Sequence, residues 1–349
     1  MRHASEVVRL AMGGAGECFG LYTNAVALIQ SHKNFAHCLI NIFPAVQYVI
    51  DNSVNVSKLN FCTGSGQHPL GWPEDVFKGL SFIQHNKLEA GGFEIYPGAA
   101  IPLGIGRFTY GVKIQRRLQE NILNWAEGES TEKCRCLVKT IGDKEHGCVV
   151  WVSIRGQGAR NAKNFHQTVC MLISLIVEKF DKPAVIFDGL SLQNGFSLED
   201  SVRGGGKISK QIEEEVKVAE AIVGQCVEGC DFYYGIGLNL ADSFLLSGVA
   251  TSYFCHDGSL QHKIGWVRPK IPGVVHGNHQ RNRGQGKGWH PVEGGYAPRY
   301  VPPECVVDLK KGGRSKVPSA NYPYEFVNFE KLKCFMGLFF SDPQGFVCK

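Results

Sequence analysis

The stretch Cys148–Ile154 (CVVWVSI) decides the fold class, because it is a continuous apolar run rich in β-branched residues. Such runs are typical of a strand buried on both faces, as the strands of a parallel sheet are. Apolar residues at helical spacing follow over Ala162–Phe180, and Pro183 ends that helix before the short apolar segment Ala184–Phe187. A strand, a helix and a second strand in this order predict a βαβ unit with a right-handed crossover.

The same alternation continues toward the C-terminus. Gly204–Gly206 is a flexible break, and Ile208–Val223 then places apolar residues on one helical face against charged residues. The next segments predict a strand, a helix and a strand: Phe232–Gly235, Ala241–Leu246 and Val249–Cys255. Together these segments predict a doubly wound α/β domain. After Pro272 the chain is loop-rich and basic, and Phe326–Phe340 predicts a last helical or mixed segment.

The chain before Gly147 has a less regular pattern. Asn34–Ile50 carries apolar residues on a helical face, whereas Leu59–Pro73 is rich in Gly, Pro, His and Ser and predicts a loop. Arg107–Ala126 is expected to begin extended and to become helical from Gln115.

Composition and charge narrow the class of protein. With 349 residues, 44% hydrophobic and 20% charged, the chain is long enough for two ordered globular domains. The net charge of +5 permits attraction to phosphates and peripheral contact with the inner face of a membrane. It is far below that of a dedicated nucleic-acid binder, so no nucleic-acid partner is expected. Met1–Leu10 has no signal-peptide pattern and no apolar run reaches ~18 residues, so a cytoplasmic protein is expected.

The 13 cysteines are scattered and odd in number. The close pairs, Cys134 with Cys136 and Cys226 with Cys230, lack the second half of a zinc site. Buried free thiols in a reducing compartment are therefore favoured over a metal or disulfide role, and no metal site is predicted.

Small, polar and charged residues follow the predicted strands, at the edge where open parallel sheets bind ligands. The candidates are Arg155, Gly156, Arg160, Asp188, Gly189, Gly235, Gly237, His256, Asp257, Gly258 and Ser259. His256–Ser259 opens a predicted short helix, Leu260–Trp266, and free backbone N–H groups at a helix start attract phosphate. Arg155 and Arg160 offer forked donors to the same diphosphate. The alternative is that Asp257 or Ser259 only caps the helix and that Arg155 is a solvated charge.

Two nucleotide-binding classes are disfavoured. Gly235-Ile-Gly237 lacks the third glycine and the later acidic residue of a dinucleotide fingerprint, which argues against a nicotinamide enzyme. The chain also has no GxxxxGK[ST] segment, which argues against a P-loop kinase or ATPase.

Three short motifs appear in order along the chain. They are Asn34-Phe35-Ala36-His37 with Asn41 and Pro44, then Val152-Ser153-Ile154-Arg155 with Arg160 and Asn161, then His256–Leu260 with Pro272–Val275. In these motifs the sequence resembles the glycosyltransferase family 61-like enzymes, which include bacterial capsule and polysaccharide transferases. One departure is that Asp257 and Ser259 replace small residues where a diphosphate should approach. Because an unpaired carboxylate repels phosphate, Asp257 is expected to turn away or to hold a cation, unless the donor is not a nucleotide diphosphate sugar.

The resemblance implies two Rossmann-like domains of the GT-B type with a central cleft. An acceptor domain would occupy 1–140 and a donor domain 141–285, with 286–349 packing back across the domains. It implies a nucleotide-sugar donor, a glycan or lipid-linked acceptor, and no metal or other cofactor. His37 is the first candidate for the general base that activates the acceptor hydroxyl, and Asp188 is the second. The predicted donor-binding residues are those of the strand ends, Arg155, Arg160, Gly235, Gly237 and His256–Ser259.

Several alternatives stay open at this point. Because His37 lies among apolar residues, it is also compatible with a histidine that only packs in the core. The α/β scaffold would also suit a sulfo- or phosphotransferase, or a carbohydrate-binding or assembly protein without catalytic activity.

Overall fold

The computed structural model describes residues 25–30, 35–39, 43–44, 47, 56–64, 70, 73–77, 83–88, 100–103, 112–155, 161–195, 199, 202, 206–283, 294–309 and 322–343. The chain divides into two compact units, Met1–Trp125 and Ala126–Lys349. Within the described residues, no helix has the length and apolar character needed to cross a membrane.

The first unit contains a parallel sheet of four strands in the order β3-β2-β1-β4. The strands are β1 Ala25–Gln30, β2 Val56–Gly64, β3 Ile83–Leu88 and β4 Ala100–Leu103. The helices that begin in this unit are α1 Phe35–His37, α2 Pro73–Val76 and α3 Val112–Glu129. The edge-to-face pair of Phe43 and Phe77, with ring centroids 5.2 Å apart, is part of its buried interior.

Two local predictions for this unit were wrong. Leu59–Pro73 was expected to be a loop, but its first six residues belong to β2, which pairs with a strand on each side. Backbone pairing with two distant strands outweighs the turn-forming composition of the segment. Composition alone does not predict this pairing. The helix α3 already begins at Val112, so residues 112–114, expected to be extended, form its first turn.

The second unit contains a parallel sheet of six strands in the order β10-β9-β8-β5-β6-β7. The strands are β5 Val149–Ser153, β6 Ala184–Asp188, β7 Asp231–Tyr234, β8 Ser252–His256, β9 Gly273–His276 and β10 Arg299–Tyr300. The helices are α4 Glu132–Asp143, α5 Phe165–Lys179, α6 Lys207–Val223, α7 Leu240–Leu246, α8 Ser259–Gln261, α9 His279–Arg283 and α10 Phe329–Ser341. A separate antiparallel pair joins β11 Val306–Asp308 to β12 Tyr324–Phe326. The α/β class and the four strands predicted from the sequence are confirmed.

Burial on both faces explains the continuous apolar run in β5. Val150 and Val152 face the core that α5, α6 and α10 cover, whereas Val149 and Trp151 face the core that α4 and α7 cover. Because successive side chains of a strand point to opposite faces, both sets must be apolar. The sheet is therefore covered on both sides, as in doubly wound domains.

The C-terminal segment is fixed to the loop that follows β5. The amide of Tyr324 donates to the carbonyl of Asn161, and the amide of Lys163 donates to the carbonyl of Tyr324, at 3.0 and 2.9 Å. The side chain of Asn164 donates to and accepts from the backbone of Phe326, with both distances 2.8 Å. These bonds bring Tyr324 to the edge of the sheet where β5 ends.

Candidate functional site

The strand order places a topological switch point beyond the end of β5. β5 and β8 are neighbours, yet the chain continues from β5 to β6 on one side and from β8 to β9 on the other. The amide of Ile154 accordingly donates to Asp188 of β6 at 2.6 Å, whereas the amide of Asp257 donates to His276 of β9 at 2.7 Å. The two loops thus diverge at the topological switch point, where open α/β sheets bind ligands. We call the space between Ile154–Arg155 and His256–Ser259 the switch-point crevice.

Arg155 is the charged residue of the loop after β5. Its side chain is half-buried, and it forms no ion pair and no hydrogen bond with any residue in the described part of the chain. Burial lowers the pKa of its guanidinium, and the charge of Arg281 lowers it further, while Tyr324, Glu215 and Asp257 oppose this shift. A partly desolvated guanidinium that bonds to no carboxylate among the described residues favours the binding of an anion.

Asp257 forms an ion pair with Arg281 of α9 through Oδ2 and Nη1. The carboxylate is 7% exposed and the guanidinium 23% exposed, so water screens the pair only partly. The sequence analysis expected Asp257 to turn away from the ligand or to hold a cation. In the structure its carboxylate holds a cation, and that cation is the guanidinium of Arg281. The pair reduces the repulsion between Asp257 and an anion in the crevice.

His256 is buried at the end of β8. Its amide donates to Ser153 Oγ at 2.9 Å, and its ring Nδ1 lies 2.7 Å from the carbonyl oxygen of Asp257. Gly258 adopts φ 130° and ψ −150°, a conformation that essentially only glycine tolerates. Ser259 then begins α8, which has only three residues before the π-helical turn His262–Trp266. The short helix provides few free N–H groups and a small dipole for a phosphate.

Asp188 lies below the crevice as part of a buried ion pair. It is fully buried, and its Oδ1 accepts from Lys263 Nζ at 2.8 Å, while the same ammonium also donates to the carbonyl of Gly189. Burial raises the pKa of Asp188 to about 6 against the opposing effect of Lys263. A carboxylate in a buried ion pair of this kind stabilises the fold and does not face an acceptor hydroxyl. Its assignment as a general base stays a prediction, and this burial weighs against it.

Gly235 and Gly237 have packing roles. A Cβ on Gly235 would lie 3.1 Å from Leu246 Cδ2, and its amide donates to the carbonyl of Phe187 at 2.7 Å. Gly237 has φ 78°, where glycine is favoured, and a Cβ there would lie 3.1 Å from Ile212. Packing explains Gly235 and backbone conformation explains Gly237, without reference to a ligand.

A second buried pair lies near Arg155. His276 Nδ1 is 2.5 Å from the hydroxyl of Tyr324, and the His276 ring stacks on Phe254 with centroids 4.5 Å apart. Burial lowers the pKa of His276 to about 3, so its imidazole is neutral at physiological pH. Because Tyr324 also interacts electrostatically with Arg155, the pair connects the C-terminal segment to the crevice.

The sequence analysis missed the roles of four residues: Lys263, His276, Arg281 and Tyr324. Arg281 was part of a basic loop, but its partner Asp257 is 24 residues away and no local pattern joins them. Three predicted residues lie wholly or partly outside what the structure describes. These are His37, whose backbone is in α1 but whose side chain is not described, and the whole of Gly156 and Arg160.

No protein-family model matches the chain, and no curated protein matches it. Among solved structures, it is similar to a glycosyltransferase family 9 protein from Veillonella parvula, with 9% identity and a TM-score of 0.40. That alignment covers 73% of this chain and 81% of the other. It is also similar to ADP-heptose LPS heptosyltransferase II from E. coli, with 9% identity, a TM-score of 0.36, and coverage of 83% and 91%. Similarity at this level does not establish family membership.

Proposed function

We propose that this chain is a glycosyltransferase that binds a nucleotide-sugar donor in the switch-point crevice and transfers the sugar to a glycan or lipid-linked hydroxyl. The observation that carries the proposal is Arg155, a half-buried arginine at the switch point that bonds to no residue of the described chain. The motif resemblance supports the reaction class. The two units, each with a parallel sheet, are compatible with the expected separation of acceptor and donor domains.

The pairing of charges around the crevice supports phosphate as the group that Arg155 binds. Lys263 and Arg281 each bond to a carboxylate, whereas Arg155 bonds to none among the described residues. Glu215, a nearby carboxylate, accepts from the amide of Leu190 at 2.6 Å and from the side chain of Gln211 at 3.1 Å. Within the described part of the chain, the donors of Arg155 are thus left for a ligand. A guanidinium placed beside the leaving diphosphate would stabilise the charge that develops on it without a metal ion.

The attack on the anomeric carbon requires that the acceptor hydroxyl lose its proton. We propose His37 as the base, on the basis of the Asn34–His37 motif. The variant His37→Ala is expected to lower kcat by ~10²–10⁴-fold with an unchanged melting temperature. Lower stability with normal turnover per folded molecule would instead assign His37 to packing.

Nucleotide binding tests the site. We would measure the thermal stabilisation of the full chain by nucleoside diphosphates and nucleotide sugars, because a ligand at 100 times its Kd stabilises by ~2.7 kcal/mol. Arg155→Ala should weaken binding by ~1.5–3 kcal/mol, roughly 10- to 150-fold, with unfolding unchanged. Arg135→Ala, on the exposed face of α4, is the matched control and should leave affinity unchanged. Equal affinity in all three proteins would remove Arg155 from the site.

The reaction class requires a separate assay. Transfer of sugar from a bound nucleotide sugar to a hydroxyl acceptor is expected. Turnover of a sulfonated or phosphorylated donor instead would indicate a sulfo- or phosphotransferase on the same scaffold. Glycan binding without turnover of any donor would indicate a binding protein that lacks the chemistry.

A further inference from the structure

The first unit contains a cavity of about 340 Å³. This volume is at the lower end of the ~300–1,000 Å³ typical of small-molecule sites, which suits a ligand of monosaccharide size. We call it the amide cavity, because three amide side chains line it together with one carboxylate and two aromatic rings: Gln47, Asn121, Asn124, Asp75, Phe77 and Trp125.

We infer that the amide cavity binds one neutral sugar unit of a saccharide. Amides both donate and accept hydrogen bonds, as sugar hydroxyls do, so each amide can bond a hydroxyl in either sense. No Lys or Arg is among the described residues that line the cavity, whereas the carboxylate Asp75 is. The groups that line the amide cavity therefore differ from those of the switch-point crevice, where we propose that Arg155 binds an anion.

The position of the two asparagines on α3 supports a ligand over a structural role. Asn121 and Asn124 are separated by three residues, a spacing that places both on one face of the helix. Asparagine is a weak helix former in the interior of a helix, so α3 gains nothing in local stability from either. Asn124 is exposed, which leaves its amide available to a bound molecule.

The walls of the cavity are held in place before a ligand arrives. Asn121 Nδ2 donates to Gln47 Oε1 at 2.8 Å, which fixes the orientation of both amides. Phe77 is 2% exposed and packs edge-to-face on Phe43, and Trp125 is also 2% exposed. A rigid polar wall lowers the entropy cost of binding.

In a glycosyltransferase this sugar would belong to the acceptor. That role rests on the proposed function, whereas the binding of a neutral saccharide does not. The test is saturation-transfer NMR on the full chain without nucleotide, using glucose, galactose, mannose and N-acetylglucosamine as probes. At least one should bind, and Asn124→Ala should weaken it roughly 3- to 10-fold, as expected for one lost neutral hydrogen bond. Glu120→Ala, an exposed change on the same helix outside the cavity, should leave the affinity within about twofold of the original, below the effect of one lost hydrogen bond.

The outcomes separate this inference from the function proposed above. Arg155→Ala should leave sugar binding unchanged, so that loss of nucleotide binding and loss of sugar binding report different sites. The inference is overturned if none of the four sugars binds, or if Asn124→Ala binds them as the unchanged protein does.

Discussion

The ammonium of Lys263 lies 2.8 Å from the carboxylate of Asp188, and neither side chain is more than 1% exposed. Lys263 follows β8 and Asp188 ends β6, and these strands are the two neighbours of β5. The pair therefore joins the chain on both sides of β5 directly before Ile154 and Arg155 enter the crevice. A buried charge is costly when its partner is missing. The shape of the site therefore depends on the presence of both Lys263 and Asp188.

Removal of Lys263 should destabilise the second unit. Lys263→Met leaves Asp188 buried without its cation, and the expected loss is ~3–5 kcal/mol in the free energy of unfolding, measured with urea. The double variant Lys263→Met/Asp188→Asn should recover much of this loss, because it leaves no unpaired charge. If the double variant is as unstable as the single variant, the lysine contributes through packing and not through its charge.

The pH dependence of the free energy of unfolding should reveal the lowered pKa of His276. The pKa of its imidazole is about 3 in the folded chain and near 6.5 when unfolded, so only the unfolded state takes up the proton between these values. Its contribution to stability is complete above pH 6.5 and is lost as the pH falls toward 3, by ~1.4 kcal/mol per pH unit.

The control for this effect is His276→Gln, which keeps a hydrogen-bonding group beside Tyr324 but does not titrate. The difference in unfolding free energy between the two proteins should shrink from pH 7.5 to pH 4.5. Asp188 has a raised pKa and acts in the opposite sense, because its contribution to stability is lost as the pH rises from 3.8 to about 6. Both proteins contain Asp188, so its contribution cancels in the difference between them. A constant difference across this range would show that the pKa of His276 is the same in the folded and unfolded states.

The ion pair of Asp257 and Arg281 predicts an unusual order of affinities. Arg281→Ala leaves a nearly buried carboxylate beside the anion in the crevice, so it should weaken binding of a nucleoside diphosphate. Adding Asp257→Asn removes that carboxylate, and the double variant should bind more tightly than Arg281→Ala alone. Isothermal titration of the single and double variants measures the difference. Equal affinities would mean that Asp257 does not act on the ligand.

The sequence predicted the second unit well because its strands are buried on both faces. Cys148–Ile154 and Ala184–Phe187 are apolar without interruption, so their strands could be placed from local pattern alone. The strand ends then located the crevice through the general rule for open sheets. The strand β2 was not predicted, because its composition resembles that of a loop. It forms by pairing with strands that are distant in the sequence.

The partners within the site were less accessible to sequence reasoning. Lys263 and Asp188 are 75 residues apart, and Tyr324 meets His276 across 48 residues. No periodicity encodes such contacts, since the sheet order alone brings them together. Arg155 could be predicted because it directly follows a strand. Tyr324 lies on a distant segment that backbone bonds to Asn161 and Lys163 hold at the site.

The last prediction concerns Gly189, where the loop after β6 passes closest to α6. A Cβ at this position would collide with Glu215 Oε2, the oxygen that accepts from the amide of Leu190 at 2.6 Å. Gly189→Ala should therefore displace the buried carboxylate and cost ~1–3 kcal/mol in unfolding free energy. Gly142→Ala is the matched control, because no described atom beyond the local helix backbone lies within 4 Å of the added methyl, and α4 should gain up to ~1 kcal/mol.

Glu215→Asp provides the decisive comparison for Gly189. Its side chain is one methylene shorter, so the carboxylate can retreat from the new methyl group while it keeps its charge. Added to Gly189→Ala, it should restore part of the lost stability, although alone it should destabilise because Leu190 loses a well-placed acceptor. Opposite signs of Glu215→Asp in the two backgrounds would demonstrate the contact. If Glu215→Asp destabilises both backgrounds equally, the added methyl group does not act through the carboxylate of Glu215.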